Sequence, residues 1–225
     1  MLLKNDNMEY QTLLYDVTHK LPDEIWSRED IERMLKIVDE SPDYLHNIWG
    51  EWMRARDKLI ISMLFEHALR PKELLCMKFD DMDLQNKNLK VRGINNKVRK
   101  DRLVPINEKI APYFIKYFGF PRWLWKNSPY LFPSFANQFL SSQRWKHIFR
   151  EKVLKPAGLW IQPEKPSLCK TRSYTLRHSK ATELINKTDI YTVANILGHG
   201  DIRSTKTYLH LNKQIFEHMR QALNS

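Results

Sequence analysis

The spacing of hydrophobic residues predicts helices in the first part of the chain. Ser27 is a suitable N-cap, and Asp30 follows three residues later as a capping-box partner. A second helix is predicted over residues 48–69, and Pro71 can occupy the first position of a third, PKELLCMKF, because that position needs no amide donor. The first helix carries its apolar residues at helical spacing, at Ile31, Met34, Leu35 and Val38.

The middle of the chain has a different pattern. Residues 89–92 (LKVR) and 101–106 (DRLVPI) have strand character, and a glycine and asparagine segment between them favours a turn, so a basic β hairpin is predicted. Residues 156–174, with three prolines, are predicted to form a surface loop. Helical patterns return over residues 111–118, 140–154, 176–185, 190–197 and 213–223. The fold class expected is mainly α with a small antiparallel β hairpin or sheet.

Composition narrows the class of protein. The chain has 225 residues, enough for one sizeable core, and its aromatic content of 12% is too high for a disordered chain. The longest apolar run, LIISMLF, is far shorter than the roughly 20 residues of a membrane span. Two cysteines and no visible secretory signal fit a reducing compartment. We therefore expect a cytoplasmic protein with no membrane partner.

The net charge of +11 implies self-repulsion that needs a functional reason. A polyanionic partner, with nucleic acid as the leading candidate, supplies that reason. Excess lysine that serves only solubility is the alternative. The distribution favours nucleic acid, because residues 90–102 contain six basic residues and one acid. A second basic group includes Lys165, Lys170, Arg172, Arg177, His178 and Lys180.

Several common site types have no support in the sequence. There is no GxxxxGK[ST] phosphate loop, no HExxH and no CxxC pair, and the histidine and cysteine spacings match no zinc ligand set. We therefore expect neither a metal site nor a cofactor.

One spaced set of residues carries the chemistry. Its members are Arg70 in ALRPKELL, Lys97 on the hairpin, YTLRH at residues 174–178, LGH at residues 197–199, and Tyr208 in STKTYLHL. In order and spacing this set closely resembles the tyrosine recombinase (phage integrase, Xer-like) family. The resemblance covers roughly residues 21–225. LGH followed nine positions later by Tyr208 is its most specific part.

The resemblance implies strand cleavage and rejoining of DNA through a covalent 3′-phosphotyrosine at Tyr208. A site without metal needs fixed cations at the phosphorus, and Arg70 and Arg177 offer planar forks that match a phosphate. His199 would hydrogen-bond the phosphate or the phenol. Each residue also has a structural alternative. The arginines could form ion pairs that stabilise the fold, His199 could be a structural histidine after a helix C-cap, and Tyr208 could pack in the core.

The lysine that protonates the leaving 5′ oxygen is assigned by counting back from RLVPI at residues 102–106. This gives Lys97, with Lys100 as the alternative, and a plain phosphate contact remains open for either. The sequence departs from the family at Tyr174, where a histidine is usual. A phenol, with an ordinary pKa of about 10, is a poor base at pH 7, although it can still hydrogen-bond a phosphate. Tyr174 is therefore either a site residue or a packing residue.

The basic residues expected to contact DNA could all bind the backbone rather than read bases. A non-catalytic DNA-binding module, a topoisomerase-like enzyme and a nuclease are the alternatives to a site-specific recombinase. The expected DNA contacts are Lys90, Arg92, Arg99, Lys100, Arg102, Lys170 and Arg172.

The expected domain organisation is a flexible lead-in over residues 1–20 and a catalytic domain over residues 21–225. We expect the helical domain that normally precedes the catalytic one in this family to be absent. The resemblance also implies double-stranded DNA as partner and a homo-oligomer, a tetramer in the synaptic complex. It further implies association with the nucleoid in a prokaryotic or viral-host cell. The apolar face of residues 213–223 would dock either on a neighbouring protomer or on its own core.

Overall fold

The structure is a computed structural model that describes residues 25–96, 99–125, 127–134, 138–161, 173–206 and 208. Its α-helices are α1 (Arg28–Glu40), α2 (Ile48–Glu66), α3 (Pro71–Leu75), α4 (Ala111–Phe118), α5 (Ser142–Ile148), α6 (Ser173–Ile185), α7 (Ile190–Leu197) and α8 (Arg203–Lys206). Its strands are β1 (Met82–Asp83), β2 (Asn88–Val91) and β3 (Arg102–Pro105). The predicted fold class, mainly α with a small antiparallel sheet, is confirmed.

Helix α1 begins as its sequence predicts. The Asp30 amide donates to Ser27 Oγ at 3.1 Å, and the Ser27 amide donates to Asp30 Oδ2 at 2.9 Å, which completes the capping box. The four apolar residues at helical spacing are all buried and place one face of α1 against α2 and the core.

Helix α2 is the central helix of the fold, and α1, α4 and α6 pack against it. Over residues 59–65 it is buried on all sides, as a helix within a core should be, whereas its first half keeps a partly exposed side. It ends at Glu66, three residues before the predicted end. Pro71 disfavours helical backbone at the residue before it, and Arg70 is indeed extended, with φ −73° and ψ 142°. Residues 67–70 therefore connect α2 to the short helix α3.

The three strands form an antiparallel sheet in the order β1–β2–β3, with Leu89 opposite Val104. The predicted hairpin is β2 and β3, while β1 was not predicted. At the tip, the Gly93 amide donates to Asp101 Oδ1 at 2.7 Å, and a Cβ at Gly93 would lie 2.6 Å from the Arg99 carbonyl carbon. Glycine at this position therefore lets the two arms of the tip approach closely. Lys97 lies outside the described residues.

The second half of the chain departs from the predicted bounds in two places. The helix predicted over residues 140–154 is α5 followed by a π-helical turn, Phe149–Leu154. Helix α6 begins at Ser173, so the predicted surface loop is wrong for Ser173 and Tyr174. Burial of Ser173 and Thr175 explains the earlier start, because the first turn of α6 is packed against the core. The predicted lead-in over residues 1–20 and helix over residues 213–223 lie outside the described residues.

A second, smaller apolar cluster lies beside the main core and holds the end of the described chain. Helices α6 and α7 contribute Ala181, Ile185, Val193 and Leu197 to it. The predicted closure of α7 by Gly198 is confirmed, and the glycine adopts the left-handed conformation with φ 62°. This cluster also contains Ala68 and Tyr208.

Candidate active site

The side chain of Glu73 lies at the centre of the candidate site and is fully buried. Its carboxylate accepts two hydrogen bonds of 2.9 Å from the Arg102 guanidinium, one to each oxygen. It also accepts hydrogen bonds from the Arg70 amide and from Arg70 Nη1, both at 2.9 Å. Arg177 Nη1 lies 4.0 Å from the same carboxylate. Three guanidinium groups from α6, β3 and the start of α3 therefore surround one buried carboxylate.

Local sequence explains how Glu73 reaches Arg70. Pro71 fixes the start of α3, and Glu73 is the third residue of that helix, so its carboxylate can turn back to the amide that precedes the helix. Burial favours the neutral carboxyl, but the hydrogen bonds and charge of Arg102 and Arg70 outweigh it and hold the pKa of Glu73 below its ordinary value. Glu73 is therefore ionised at neutral pH. The three positive charges of the arginines exceed its single negative charge, so the cluster carries a net positive charge.

Arg177 is buried in the first half of α6 and is held by backbone carbonyls. Its Nη1 donates to the Ala68 carbonyl and its Nη2 to the Leu197 carbonyl, each at 2.7 Å. Burial and the neighbouring Arg70 lower the pKa of Arg177 to about 10. The group stays charged at pH 7, so the fold keeps a fixed cation with little water around it.

His199 follows the left-handed Gly198 and is held at both ring nitrogens. Its Nε2 lies 3.2 Å from Arg177 Nη2, and its Nδ1 lies 2.7 Å from Thr205 Oγ1. Because a guanidinium can only donate, Nε2 must accept, and Nδ1–H donates to Thr205. Burial, together with the charges of Arg177 and Arg70, lowers the pKa of His199 to about 4. The imidazole is neutral at pH 7.

Tyr208 is only 3% exposed and packs in the smaller apolar cluster. Its hydroxyl lies 2.6 Å from His178 Nδ1. Burial raises the pKa of Tyr208, while the positive charges of Arg177 and Arg70 act in the opposite direction. The structure thus brings Tyr208 to the arginines and also buries it, so its site geometry and its packing role coexist.

The remaining predicted site residues lie in different surroundings. Tyr174 is 37% exposed near the start of α6. Arg102 is committed to Glu73, and Arg92 pairs with Asp81 at 2.5 Å. Lys90 forms an exposed pair with Asp101 at 3.2 Å. Arg99 and Lys100 are exposed at the hairpin tip, and Lys97, Lys170 and Arg172 lie outside the described residues.

Sequence reasoning missed Glu73 and Thr205, and although it selected His178 within YTLRH, it did not predict the contact of His178 with Tyr208. Glu73 has a recognisable signal, since a glutamate two residues after Pro71 can occupy the third position of a helix and form a capping box. Thr205 and His178 have no such signal, because their contacts depend on how α6 and α7 pack against the segment that holds Tyr208. Among the described residues, no cluster of His, Cys, Asp and Glu could hold a metal ion. None of the described helices is long and apolar enough to span a bilayer.

The fold is that of a tyrosine recombinase catalytic domain. Residues 26–215 match the phage integrase family, and the chain belongs to that family. It is similar to tyrosine recombinase XerD of Staphylococcus haemolyticus, with 30% identity over 199 residues. The match covers 86% of this chain and 60% of the relative, so the chain spans less than two thirds of that protein.

Solved structures give the same fold. The crystal structure of XerA recombinase superimposes with a TM-score of 0.66 and 25% identity, over 91% of this chain and 66% of that one. The catalytic domain of bacteriophage HP1 integrase gives a TM-score of 0.57 and 19% identity, over 86% of this chain and 90% of that domain. The second match extends over nearly the whole of an isolated catalytic domain.

Proposed function

We propose that this chain is the catalytic domain of a site-specific DNA recombinase or integrase that cuts and rejoins strands through a covalent 3′-phosphotyrosine at Tyr208. The observation that carries the proposal is the excess of positive charge around Glu73. Three guanidinium groups, from Arg70, Arg102 and Arg177, share a single buried carboxylate. Such a site favours an additional anion, and a DNA phosphodiester is the anion that the family acts on.

The proposed step forms a bond between the Tyr208 oxygen and phosphorus and breaks the bond from phosphorus to the 5′ oxygen. Arg70 stabilises the charge on the phosphate, since Glu73 takes only one of its five side-chain N–H groups. Arg177 contributes a buried positive charge and holds His199 in place. Lys97, the proposed acid, protonates the leaving 5′ oxygen. The new phosphodiester stores the bond energy, so rejoining needs neither metal nor ATP.

DNA binding is proposed to use the basic hairpin as well as the site. Lys90, Arg99 and Lys100 are exposed and able to approach a backbone phosphate. Arg102 acts mainly through Glu73, because both of its terminal nitrogens donate to that carboxylate. Arg92, Lys170 and Arg172 complete the proposed set. Contacts of this kind position the protein without specifying a sequence.

We further propose that residues 21–225 form this catalytic domain, that the chain acts on double-stranded DNA as a homo-oligomer, a tetramer in the synaptic complex, and that it works in the cytoplasm at the nucleoid. Relatives that extend well beyond the matched region support the idea that full recombination uses further protein as well.

The test uses a nicked suicide duplex built from the repeats that flank the gene. Cleavage releases a short fragment that carries the 5′ hydroxyl, and its loss prevents rejoining and traps the covalent adduct. Wild-type protein should give a covalent adduct resistant to denaturation, and Tyr208→Phe should give none. Tyr191→Phe, a control at a tyrosine 70% exposed on α7, should react as the wild type does. Supplying a 5′-hydroxyl strand should restore an intact duplex and release the protein.

Binding without an adduct would indicate a non-catalytic module, and free cut ends would indicate a nuclease. Relaxation of supercoiled DNA without exchange between duplexes would indicate a topoisomerase.

A further inference from the structure

We propose that His178 is the general base that removes the phenolic proton of Tyr208 during strand cleavage. The inference rests on the proposed function, since it names the group that activates the nucleophile of that reaction. Resemblance to the family assigns no such role to this position, and the histidine usual three residues before Arg177 is replaced here by Tyr174.

The geometry of the pair is the first argument. His178 Nδ1 lies 2.6 Å from the Tyr208 hydroxyl, within the range from which a base abstracts a proton. The ring centroids lie 5.7 Å apart with an angle of 40° between the ring planes. His178 follows Arg177 directly on α6, so the helix that fixes the buried cation also fixes the imidazole. In the reactive tautomer the phenol donates to Nδ1, and the imidazole proton is on Nε2.

The environment of Tyr208 is the second argument. The phenol is 3% exposed, and burial raises its pKa, so its ionised form is scarce without an acceptor for the proton. Arg177 and Arg70 favour the phenolate once it forms, but a guanidinium cannot accept a proton. The nucleophile therefore needs a neighbouring base as well as neighbouring cations.

The other candidate residues described in the site are poorly arranged for this role. His199 already uses Nε2 to accept from Arg177 and Nδ1 to donate to Thr205, so neither ring nitrogen is directed at a phenol. Tyr174 is exposed and carries a phenol rather than an imidazole. Among the described residues, His178 is the imidazole that hydrogen-bonds the nucleophile.

The proton balance of the step is complete. The Tyr208 proton moves to His178 Nδ1 as the tyrosine oxygen bonds to phosphorus, and the bond to the 5′ oxygen breaks. The departing oxygen takes a proton from Lys97, the acid of the proposed function. In rejoining, the incoming 5′ hydroxyl returns its proton to the lysine, and His178 returns its proton to the tyrosine oxygen. No metal, oxidant or other reactant is required.

The experiment measures single-turnover adduct formation on preassembled complexes with wild-type protein, His178→Gln and Lys97→Ala. Two suicide duplexes are used, one with the normal 5′ oxygen and one with sulfur at that bridging position. Glutamine can still accept a hydrogen bond from Tyr208 but cannot take its proton. We expect His178→Gln to react at least about 100-fold more slowly on both duplexes, a typical loss for a general base. Lys97→Ala should recover on the sulfur duplex, because a thiolate leaves without protonation.

A second variant separates chemistry from structure. His178→Ala should also be slow, and added imidazole should raise its rate at least about tenfold if the missing function is proton transfer. The inference would be overturned if His178→Gln formed the adduct at a rate within threefold of the wild-type rate. It would also be overturned if His178→Gln reacted faster than wild type, and that result would identify the histidine as a restraint on Tyr208. Rescue of His178→Gln by the sulfur leaving group, or no response of His178→Ala to imidazole, would overturn it as well. An unreactive wild type would overturn the proposed function and this inference together, whereas a reactive wild type with reactive His178 variants would overturn the inference alone.

Discussion

Replacement of Glu73 by glutamine tests whether the buried carboxylate holds the site together. The substitution keeps the shape of the side chain and removes its charge. Four hydrogen bonds of 2.9 Å, two from Arg102 and two from Arg70, then face an amide. The amide nitrogen of glutamine can only donate, and each carboxylate oxygen accepts two of these bonds, so two of the four donors lose their acceptor.

The expected cost follows from burial. Removing one partner of a buried ion pair destabilises a protein by about 3–5 kcal/mol. The Arg70 and Arg102 side chains are 15% and 13% exposed, so water can partly replace the lost carboxylate, and the lower end of the range applies. We expect Glu73→Gln to lower the free energy of unfolding by about 3 kcal/mol. With a denaturant slope of about 3 kcal/mol per molar urea, the midpoint should fall by about 1 M.

The pH dependence gives an independent check of sign. The pKa of Glu73 is lower in the folded protein than its ordinary value of about 4.3, so the ionised carboxylate stabilises the fold above that pH. This stabilisation is lost as the pH falls through the folded pKa. The difference in unfolding free energy between wild type and Glu73→Gln should therefore be constant from about pH 6 to pH 8 and shrink below about pH 4.

The assay is urea unfolding followed by tryptophan fluorescence at several pH values, with Glu108→Gln as the matched control. Glu108 pairs with Lys87 at 3.2 Å and its side chain is 84% exposed, so its replacement should change little. A loss below about 1 kcal/mol for Glu73→Gln, or a difference from wild type that does not narrow in acid, would refute the reasoning.

Three further outcomes are expected. Arg177→Lys should slow single-turnover adduct formation at least about 100-fold, because an ammonium cannot match the guanidinium contacts of the buried site; retention of the wild-type rate would contradict this role. Gly198→Ala should lose roughly 1–3 kcal/mol in thermal unfolding, since φ is 62° and the added Cβ would lie 2.7 Å from the Arg102 guanidinium carbon; an unchanged melting temperature would show that the turn relaxes freely. Lys100→Gln should reduce the slope of log affinity against log salt by about 1 in fluorescence anisotropy, and an equal slope would exclude Lys100 as a phosphate contact.

Local sequence signals predicted the elements whose ends are set by neighbouring residues. The capping box at Ser27 and Asp30 and the glycine after α7 are signals of this kind, and both are confirmed. The two-residue strand β1 was not predicted, because two residues are too few to show alternation and pairing with β2 defines the strand. The early start of α6 was missed because it depends on burial of Ser173 against the core.

The candidate site shows the same division. The resemblance of the spaced motifs to the family was enough to select Arg70, Arg177, His199 and Tyr208, and the structure brings these residues together. It could not predict that Glu73 joins three arginines, because Arg102 and Arg177 reach it from β3 and α6. Nor could it predict the contact between His178 and Tyr208, which are 30 positions apart in the chain. Contacts of this type arise from tertiary packing.

The most direct test of the central claim is to identify the residue that becomes joined to DNA. The adduct trapped on the suicide duplex is digested with nuclease and protease, and the nucleotide-bearing peptide is sequenced by mass spectrometry. The account predicts a 3′-phosphonucleotide on the oxygen of Tyr208 and no adduct from Tyr208→Phe. A nucleotide attached to any other residue, or an adduct that persists in Tyr208→Phe, would contradict it.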